Sequence, residues 1–235
     1  MSIFERDAPR YDAWYDTARG AALFAEESAT LRPLVDELPG PRLEVGVGSG
    51  RFASALGVTI GLDPARAPLR LAQGHGVRAM VGVGEALPLR TGSVGTVLLV
   101  MTLCFTRDPS TVFRETRRAL APGGGVVLGV VPADGPWGRH YRALAASGHP
   151  YYREARFFTS GELVSLVGAA GLVVRRVRAS VLWSPDADPP ARPRVLEGWD
   201  PAAGFVAMLA TPATTGEHDR PHPGSSGWGR RPWEG

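Results

Sequence analysis

The 235-residue chain contains no lysine, since all 26 of its basic residues are arginine. ATP-hydrolysing P-loop proteins need a lysine in the pattern G-x-x-x-x-G-K-[S/T], so their chemistry is excluded. Arginine side chains pair well with carboxylates, and against 23 acidic residues they leave a net charge of only +3. We therefore expect no nucleic acid as a partner.

Cysteine and metal-binding patterns are scarce as well. Cys104 is the single cysteine and lies in an apolar run, which excludes a disulfide within the chain and favours a buried structural thiol. There is no C-x-x-C pattern, and His218 and His222 lie in a segment that offers too few further ligands, so we expect no metal site.

Long apolar segments are also missing. No run approaches the roughly 20 residues of a membrane span, and the first residues are charged. With a single unpaired thiol, these features predict a cytoplasmic protein that does not enter membranes.

What the chain does contain is a glycine-rich turn after an apolar segment, where Glu44 is followed by Gly46, Gly48 and Gly50. Glycines let backbone N–H groups approach a ligand closely, and the helix that follows supplies unpaired N–H donors. A second apolar segment ends in Asp63, about 17 residues after Gly46 and near the offset of about 20 at which such folds present an acid to a ribose. Together the two features predict a site for a nucleotide-like ligand.

The spacing of the glycines indicates which ligand fits best. Nicotinamide-dependent dehydrogenases use G-x-G-x-x-G, and Arg51 occupies the position of the third glycine when the count starts from Gly46 and Gly48. A nicotinamide-dependent oxidoreductase is therefore the weaker alternative. The pattern present, E-x-G-x-G-x-G, resembles the first motif of class I S-adenosylmethionine-dependent methyltransferases.

The resemblance extends over residues 41–131. Residues 82–97 are similar to the family's G-x-A-E-x-L-P-F and S-F-D-x-V segments, and residues 117–125 are similar to its R-x-L-x-P-G-G turn. The departures are Val83, where many relatives carry an aspartate beside the adenine, and Gly95, where S-F-D has its acid. The ordered motifs imply a small-molecule methyltransferase whose cofactor is S-adenosyl-L-methionine.

Carried over onto matching positions, the resemblance implies the cofactor contacts. The glycines would face the methionine part, Glu44 and the Met101 carbonyl would receive its ammonium group, and Asp63 would hold the ribose. The implied cofactor-binding residues are Tyr11, Glu44, Gly46, Gly48, Gly50, Asp63, Pro64, Gly84, Glu85, Ala86 and Met101.

Four of these residues have structural alternatives. Glu44 would otherwise tie the loop to a neighbouring arginine, and Asp63 before a proline is a good helix N-cap without any ligand. Met101 and Tyr11 would otherwise be ordinary packing residues.

Methyl transfer from a sulfonium depends mainly on positioning and on the exclusion of water, because the methyl group is already activated. A general base is needed only when the acceptor has a proton to lose. The sequence does not single out one residue as the base, because a histidine in a loop is commonly only a solvent-exposed side chain. The candidates are His140, Tyr141, His149 and Tyr15.

Four arginines surround the same region and favour either an anionic acceptor or a solvated basic face. They are Arg139, Arg142, Arg153 and Arg156.

The chain divides into three predicted parts. Residues 1–38 form an N-terminal helical cover, with two short helices joined near Gly20. Residues 39–210 form the S-adenosylmethionine-binding domain, in which an insertion at 132–158 caps the acceptor side. Residues 211–235 form a disordered tail.

Apolar runs predict the strands, and Asp63, Asp108 and Thr159 are predicted to cap helices. The alternation of strands with helical segments predicts an α/β, doubly wound, Rossmann-like sheet with helices on both faces. The family resemblance implies seven strands in the order 3-2-1-4-5-7-6, the last antiparallel. The predicted strands are residues 42–47, 58–62, 78–83, 94–101, 125–131, 172–181 and 204–210.

We therefore expect an enzyme that transfers a methyl group from S-adenosyl-L-methionine to a small-molecule acceptor. The main alternative is a non-catalytic regulatory or accessory protein that keeps the cofactor loop but has no acceptor pocket.

Overall fold

The structure is a computed structural model that describes residues 2–214. Its helices are α1 (Ile3–Arg6), α2 (Ala8–Trp14), α3 (Ala18–Asp36), α4 (Arg51–Ala55), α5 (Arg66–Gly74), α6 (Pro109–Ala119), α7 (Pro136–Ala146) and α8 (Ser160–Ala169), with a short 3₁₀ helix at Leu103–Phe105. Its strands are β1 (Arg42–Val45), β2 (Ile60–Asp63), β3 (Arg78–Val81), β4 (Val94–Val100), β5 (Leu120–Val130), β6 (Leu172–Ser180), β7 (Leu196–Glu197) and β8 (Phe205–Pro212).

Within residues 2–214 the strands form one sheet in the order β3-β2-β1-β4-β5-β8-β6-β7. Strands β1 to β5 pair in parallel, whereas β8 runs antiparallel to both β5 and β6. The doubly wound α/β fold, the strand order and the antiparallel last strand are thereby confirmed.

The expected number of seven strands was wrong by one. Strand β7 has two residues and pairs with β6, where Arg178 lies opposite Glu197. The Nε atom of Arg178 donates to Oε1 of Glu197 over 2.8 Å. A strand this short has no readable periodicity, so the sequence pattern cannot reveal it.

Both faces of the sheet are covered, as a parallel sheet requires. Every residue of β4 is buried. Val97 and Leu99 belong to the core on one face, while Leu98 and Val100 belong to the core on the other. Because β1, β2 and β4 run parallel to one another, their carboxyl ends emerge at one edge of the sheet. Open α/β sheets bind ligands at this edge.

The N-terminal helices differ from the prediction at Gly20. The break between helices lies at residues 15–17, and Gly20 sits inside α3. A Cβ at Gly20 would collide with the carbonyl of Trp14, so glycine is required there by close packing of the preceding turn. The Thr17 hydroxyl accepts a hydrogen bond from the Gly20 N–H at 3.1 Å and caps α3.

Two predicted caps are present. Asp108 accepts from the Thr111 N–H at 3.2 Å at the start of α6, and Thr159 forms a reciprocal capping box with Glu162 at the start of α8. The insertion at 132–158 contains α7, which the sequence analysis did not predict.

The last strand continues two residues beyond the predicted boundary, because Thr211 and Pro212 belong to β8. Residues 215–235 of the predicted tail lie outside the described residues. Among residues 2–214, no helix combines the length and the hydropathy that a membrane span requires.

Candidate active site

The glycine-rich loop between β1 and α4 adopts backbone conformations that favour glycine. The φ angles of Gly46, Gly48 and Gly50 are 73°, 53° and 81°. A Cβ at Gly46 would collide with the Thr102 side chain, whereas a Cβ at Gly48 would meet nothing within 4 Å. Gly48 therefore borders open space into which a ligand can approach the backbone.

Asp63 at the end of β2 connects the first two strand ends. Its Oδ2 accepts from the Gly48 N–H at 3.0 Å, and its Oδ1 accepts from the Ala65 N–H at 2.8 Å. Helix α5 begins only at Arg66, so the expectation that Asp63 is its N-cap was wrong. A carboxylate has about four lone-pair positions, which leaves acceptor capacity for two ribose hydroxyls.

Glu44 carries a carboxyl group that is buried and incompletely bonded. The residue is only 2% exposed, and its Oε2 has no hydrogen-bond partner among the described residues. Burial raises the pKa of Glu44 well above its usual range, and the nearby Asp63 charge adds to the rise. The alternative that Glu44 bonds a neighbouring arginine has no support in the described contacts.

The residues predicted to flank the adenine differ in their solvent exposure and in their hydrogen bonds. Pro64 and Ala86 are exposed, whereas Gly84 is buried, with Val45 and Val112 beside it. The carboxylate of Glu85 accepts from the backbone N–H of Arg107 and Asp108 at 2.9 and 3.3 Å. Pro64 and Ala86 thus offer free surfaces to a ring, while the Glu85 side chain holds the loop before α6.

Met101 follows β4 in a strained conformation, with a φ of 51°. Its N–H donates to the Gly129 carbonyl at 2.7 Å, and its carbonyl accepts from the Cys104 thiol at 3.1 Å. Burial raises the pKa of Cys104 to about 12, so this thiol is neutral. The Met101 carbonyl therefore already has one donor.

A cavity of about 700 Å³ lies beyond the ends of β4 and β5, between the N-terminal helices and the 132–158 insertion. It brings together all four predicted acceptor-side candidates with Tyr11 and Met101, whereas the other predicted cofactor residues lie outside its lining. The lining includes Tyr11, Tyr15, Met101, Cys104, Trp137, His140, Tyr141, His149, Tyr151, Tyr152 and Phe157.

Comparison with known proteins identifies the family of this site. Residues 43–128 match the family described as Methyltransferase domain. A Mycobacterium tuberculosis protein of uncharacterised function is 46% identical over 205 residues, which are 87% of this chain and 72% of that protein. A Thermotoga maritima crystal structure, described as an S-adenosylmethionine-dependent methyltransferase and possible histamine N-methyltransferase, is 33% identical, with a TM-score of 0.80 over 89% of this chain and 97% of that chain.

The chain belongs to the S-adenosylmethionine-dependent methyltransferases. The CcbJ methyltransferase of Streptomyces caelestis has the same fold, with a TM-score of 0.59 at 20% identity over 91% of this chain and 99% of that chain. The alternative of a nicotinamide-dependent oxidoreductase was wrong.

The cofactor of this methyltransferase is S-adenosyl-L-methionine, and the residues present fit it. An orphaned carboxyl oxygen on Glu44 suits an ammonium group, because a buried polar atom needs a partner. The open space at Gly48 admits a ligand beside the loop. No group of three or more histidine, cysteine or acidic side chains suited to a metal occurs among the described residues.

Arg51 gives this methyltransferase a contact that the sequence analysis missed. Its guanidinium bonds both carboxylate oxygens of Asp12 at 2.7 and 2.9 Å, and those of Asp16 at 2.8 and 3.1 Å. The bidentate bond from Arg51 lowers the pKa of Asp12. These bonds fasten the segment at α2 to α4 directly after the glycine-rich loop.

The acceptor-side candidates differ in what they can do. Burial raises the pKa of Tyr15 and Tyr141 well above the usual range, so their hydroxyls stay protonated and are poor bases. The ring of His149 stacks on Tyr152 at 4.7 Å, and its Nδ1 is buried without a partner among the described residues. The ring of His140 lies 6.1 Å from that of Trp137.

The cavity also contains Glu27, which the sequence analysis missed. Glu27 is 5% exposed and lies on α3. A signal was present, since Leu23 and Leu31 lie four residues to either side on the buried face of the helix. An acidic residue in the middle of an apolar stripe is unusual, because acidic side chains are rarely buried without a partner.

Proposed function

We propose that this methyltransferase transfers the methyl group of S-adenosyl-L-methionine to a small organic acceptor bound in the 700 Å³ cavity. The observation that carries the proposal is the cavity itself. Its volume falls within the range of about 300–1,000 Å³ that is common for small-molecule sites. An accessory protein without an acceptor pocket does not account for it.

The proposed cofactor site lies at the ends of β1, β2 and β4. Glu44 receives the ammonium group, Asp63 receives the ribose hydroxyls, and the loop backbone at Gly48 faces the methionine part. Pro64 and Ala86 flank the adenine, and Tyr11, which lines the cavity, lies on the side of the transferable methyl. When bound, the cofactor supplies an activated methyl group and a neutral leaving group.

The protein's own part in the reaction is to orient the acceptor and exclude water. Tyr11 packs edge-on against Phe4 and Tyr15, at centroid distances of 5.4 and 6.0 Å, and so helps to close the cavity from the N-terminal side. If the acceptor loses a proton, His140 and His149 are the candidate bases among the residues that line the cavity.

A macromolecular or anionic acceptor is disfavoured by where the arginines lie. Arg139, Arg142 and Arg153 are exposed and do not line the cavity. Arg156 does line it, but its guanidinium lies 4.6 Å from the centre of the Phe158 ring and 3.6 Å from the Glu162 carboxylate.

The proposal is tested with purified protein and methyl-labelled S-adenosyl-L-methionine against a panel of small amines, phenols, thiols and carboxylates. Transfer of label to at least one small acceptor, with release of S-adenosylhomocysteine, is the expected result. Cofactor binding without turnover across the panel, combined with methylation of protein or RNA in a cell extract, would overturn it.

A further inference from the structure

Glu27 occupies a place where a helix normally carries a leucine. The neighbouring positions of the stripe, Leu23, Leu31 and Leu34, are at most 3% exposed. The Glu27 residue is 5% exposed and borders the cavity. Desolvation of an ionised carboxyl is costly, so such a group persists only when something compensates for it.

The adjacent Glu26 shows what a structural acid looks like in the same helix. Glu26 is 1% exposed, and its carboxylate accepts from the Val181 N–H at 2.7 Å and from the Trp183 Nε1–H at 3.0 Å. Val181 has a φ of 57°, so one of these bonds holds a strained turn in place. Glu26 thus has a complete set of partners within the fold.

Glu27 has none of this. No hydrogen bond or ion pair to its carboxyl group occurs in the part of the chain that the structure describes. Burial raises its pKa well above the usual range, and the charge of Glu26 adds to the rise.

The cationic groups of the cavity lining are committed elsewhere. Arg19 donates to the carbonyls of residues 185 and 187 at 2.8 and 2.9 Å, and it lies 5.2 Å from the centre of the Trp183 ring. Arg10 is largely exposed and lies 4.0 Å from Asp7. With Arg156 held at Phe158, no arginine of the lining neutralises Glu27. The remaining titratable groups of the lining that are not tyrosines are Cys104, His140, His149 and Asp186.

Aromatic side chains line the same cavity as the acid. Burial raises the pKa of four phenol groups, and the Glu27 charge adds a smaller contribution to each rise; they belong to Tyr11, Tyr15, Tyr141 and Tyr152. These phenols stay neutral, and their ring faces attract cations. A carboxylate in a cavity lined by aromatic side chains favours an organic cation over an anion.

We propose that the methyl acceptor carries a basic nitrogen and that Glu27, with the tyrosine rings that line the same cavity, binds it as a cation. The inference rests on the proposed function, because it names the substrate class of the same cavity. Glu27 acts as a binding residue that positions the acceptor. An ammonium, amidinium or imidazolium group is the chemistry that the site recognises.

The test compares ligands of matched size and different charge. Wild-type protein saturated with S-adenosylhomocysteine is titrated with 2-phenylethylamine, 2-phenylethanol and phenylacetate in a calorimeter. A charge-assisted hydrogen bond in a desolvated site is expected to favour the amine over the alcohol by about 10- to 100-fold, and phenylacetate is expected not to bind. Glu27→Gln, which keeps the side-chain shape, is expected to abolish the preference.

Proton release provides a readout that a structural role would not affect. Because free Glu27 holds a proton more tightly than usual, binding of a cation is expected to release protons, which repeated titrations in buffers of different ionisation enthalpy measure. The release is expected to disappear in Glu27→Gln. Glu26→Gln is the matched control and is expected to keep the amine preference, even if its melting temperature falls. Its proton release is expected to be smaller but still present, because burial alone still raises the pKa of Glu27.

The outcomes separate this inference from the proposed function. Equal binding of the amine and the alcohol by wild-type protein, or an amine preference that survives Glu27→Gln, would refute a cation site at Glu27. If S-adenosylhomocysteine binds and a neutral acceptor is methylated in the same experiments, only the present inference fails. If S-adenosylhomocysteine does not bind, the proposed function fails with it.

Discussion

Replacing either member of the adjacent pair Glu26 and Glu27 by leucine is expected to change stability in opposite directions. Both residues are at least nine-tenths buried on the same helix, so burial alone does not distinguish them. They differ in their partners, since Glu26 bonds two N–H groups whereas Glu27 bonds none that the structure describes.

The expected magnitudes follow from those partners. In Glu27→Leu, an unpaired buried carboxyl is removed and the apolar stripe of α3 is completed, which stabilises the fold by about 1–3 kcal/mol. For a chain of this length that corresponds to a rise of roughly 2–12 °C in melting temperature. In Glu26→Leu, the N–H groups of Val181 and Trp183 lose their acceptor, which costs about 2–4 kcal/mol in total.

Urea unfolding followed by tryptophan fluorescence measures both changes, and the midpoint and slope are compared with those of the wild type. A gain in stability together with loss of amine selectivity marks a residue kept for function at the expense of stability. Substantial destabilisation by Glu27→Leu would show that the acid has a partner in the fold. It would refute the conclusion that the Glu27 carboxyl group has no hydrogen-bond partner.

Three further outcomes follow from the site. Asp12→Asn is expected to cost about 1–3 kcal/mol of unfolding free energy and to weaken S-adenosylhomocysteine binding, because Asp12 is 16% exposed in its pair with Arg51. Asp16→Asn, at 67% exposed, is expected to cost less than about 1 kcal/mol, and equal effects of the two substitutions in the same urea titrations would contradict this. Asp63→Ala is expected to lower cofactor affinity at least 30-fold by calorimetry, which is on the order of 2 kcal/mol. It is also expected to lower stability, because two backbone N–H groups lose their acceptor. Unchanged affinity would show that Asp63 does not bind the ribose. Finally, folding raises the pKa of Glu27, so the unfolding free energy without ligand is expected to fall as pH rises from about 4.3 through the raised pKa. The fall is expected to reach at most about 1.4 kcal/mol per pH unit. A pH series in which Glu27→Leu shows the same slope as the wild type would contradict this.

The sequence was sufficient to predict features that depend on local patterns. Near-continuous apolar runs such as β4 indicate a strand buried on both faces, and the capping pattern at Thr159 fixes the start of α8. The three glycines predicted the turn after β1, and in the structure all three have positive φ angles. These signals are local because each depends on the conformation of a few consecutive residues.

Features that depend on distant partners were not predictable from those patterns. Arg51 occupies the position of a glycine in the dinucleotide-binding motif, and the sequence does not show what it contacts. Its partners Asp12 and Asp16 are 39 and 35 residues away. The unpaired state of Glu27 likewise depends on where the arginines of the cavity lining lie. Asp63 was predicted correctly as the end of β2 but wrongly as a helix cap, because its carboxylate bonds Gly48 across the sheet.

Calorimetric titration of S-adenosylhomocysteine into the wild type, Gly48→Ala and Gly198→Ala tests directly whether the cofactor binds against the glycine-rich loop. Both glycines have a positive φ, 53° and 86°, and a Cβ at either position meets nothing within 4 Å. Each substitution is therefore expected to cost a similar strain of about 1–2 kcal/mol, but only a methyl group at Gly48 enters the space beside the loop. We expect one binding site per chain in the wild type and in Gly198→Ala, and loss of binding in Gly48→Ala. No binding by the folded wild type, or undiminished binding by Gly48→Ala, would contradict it.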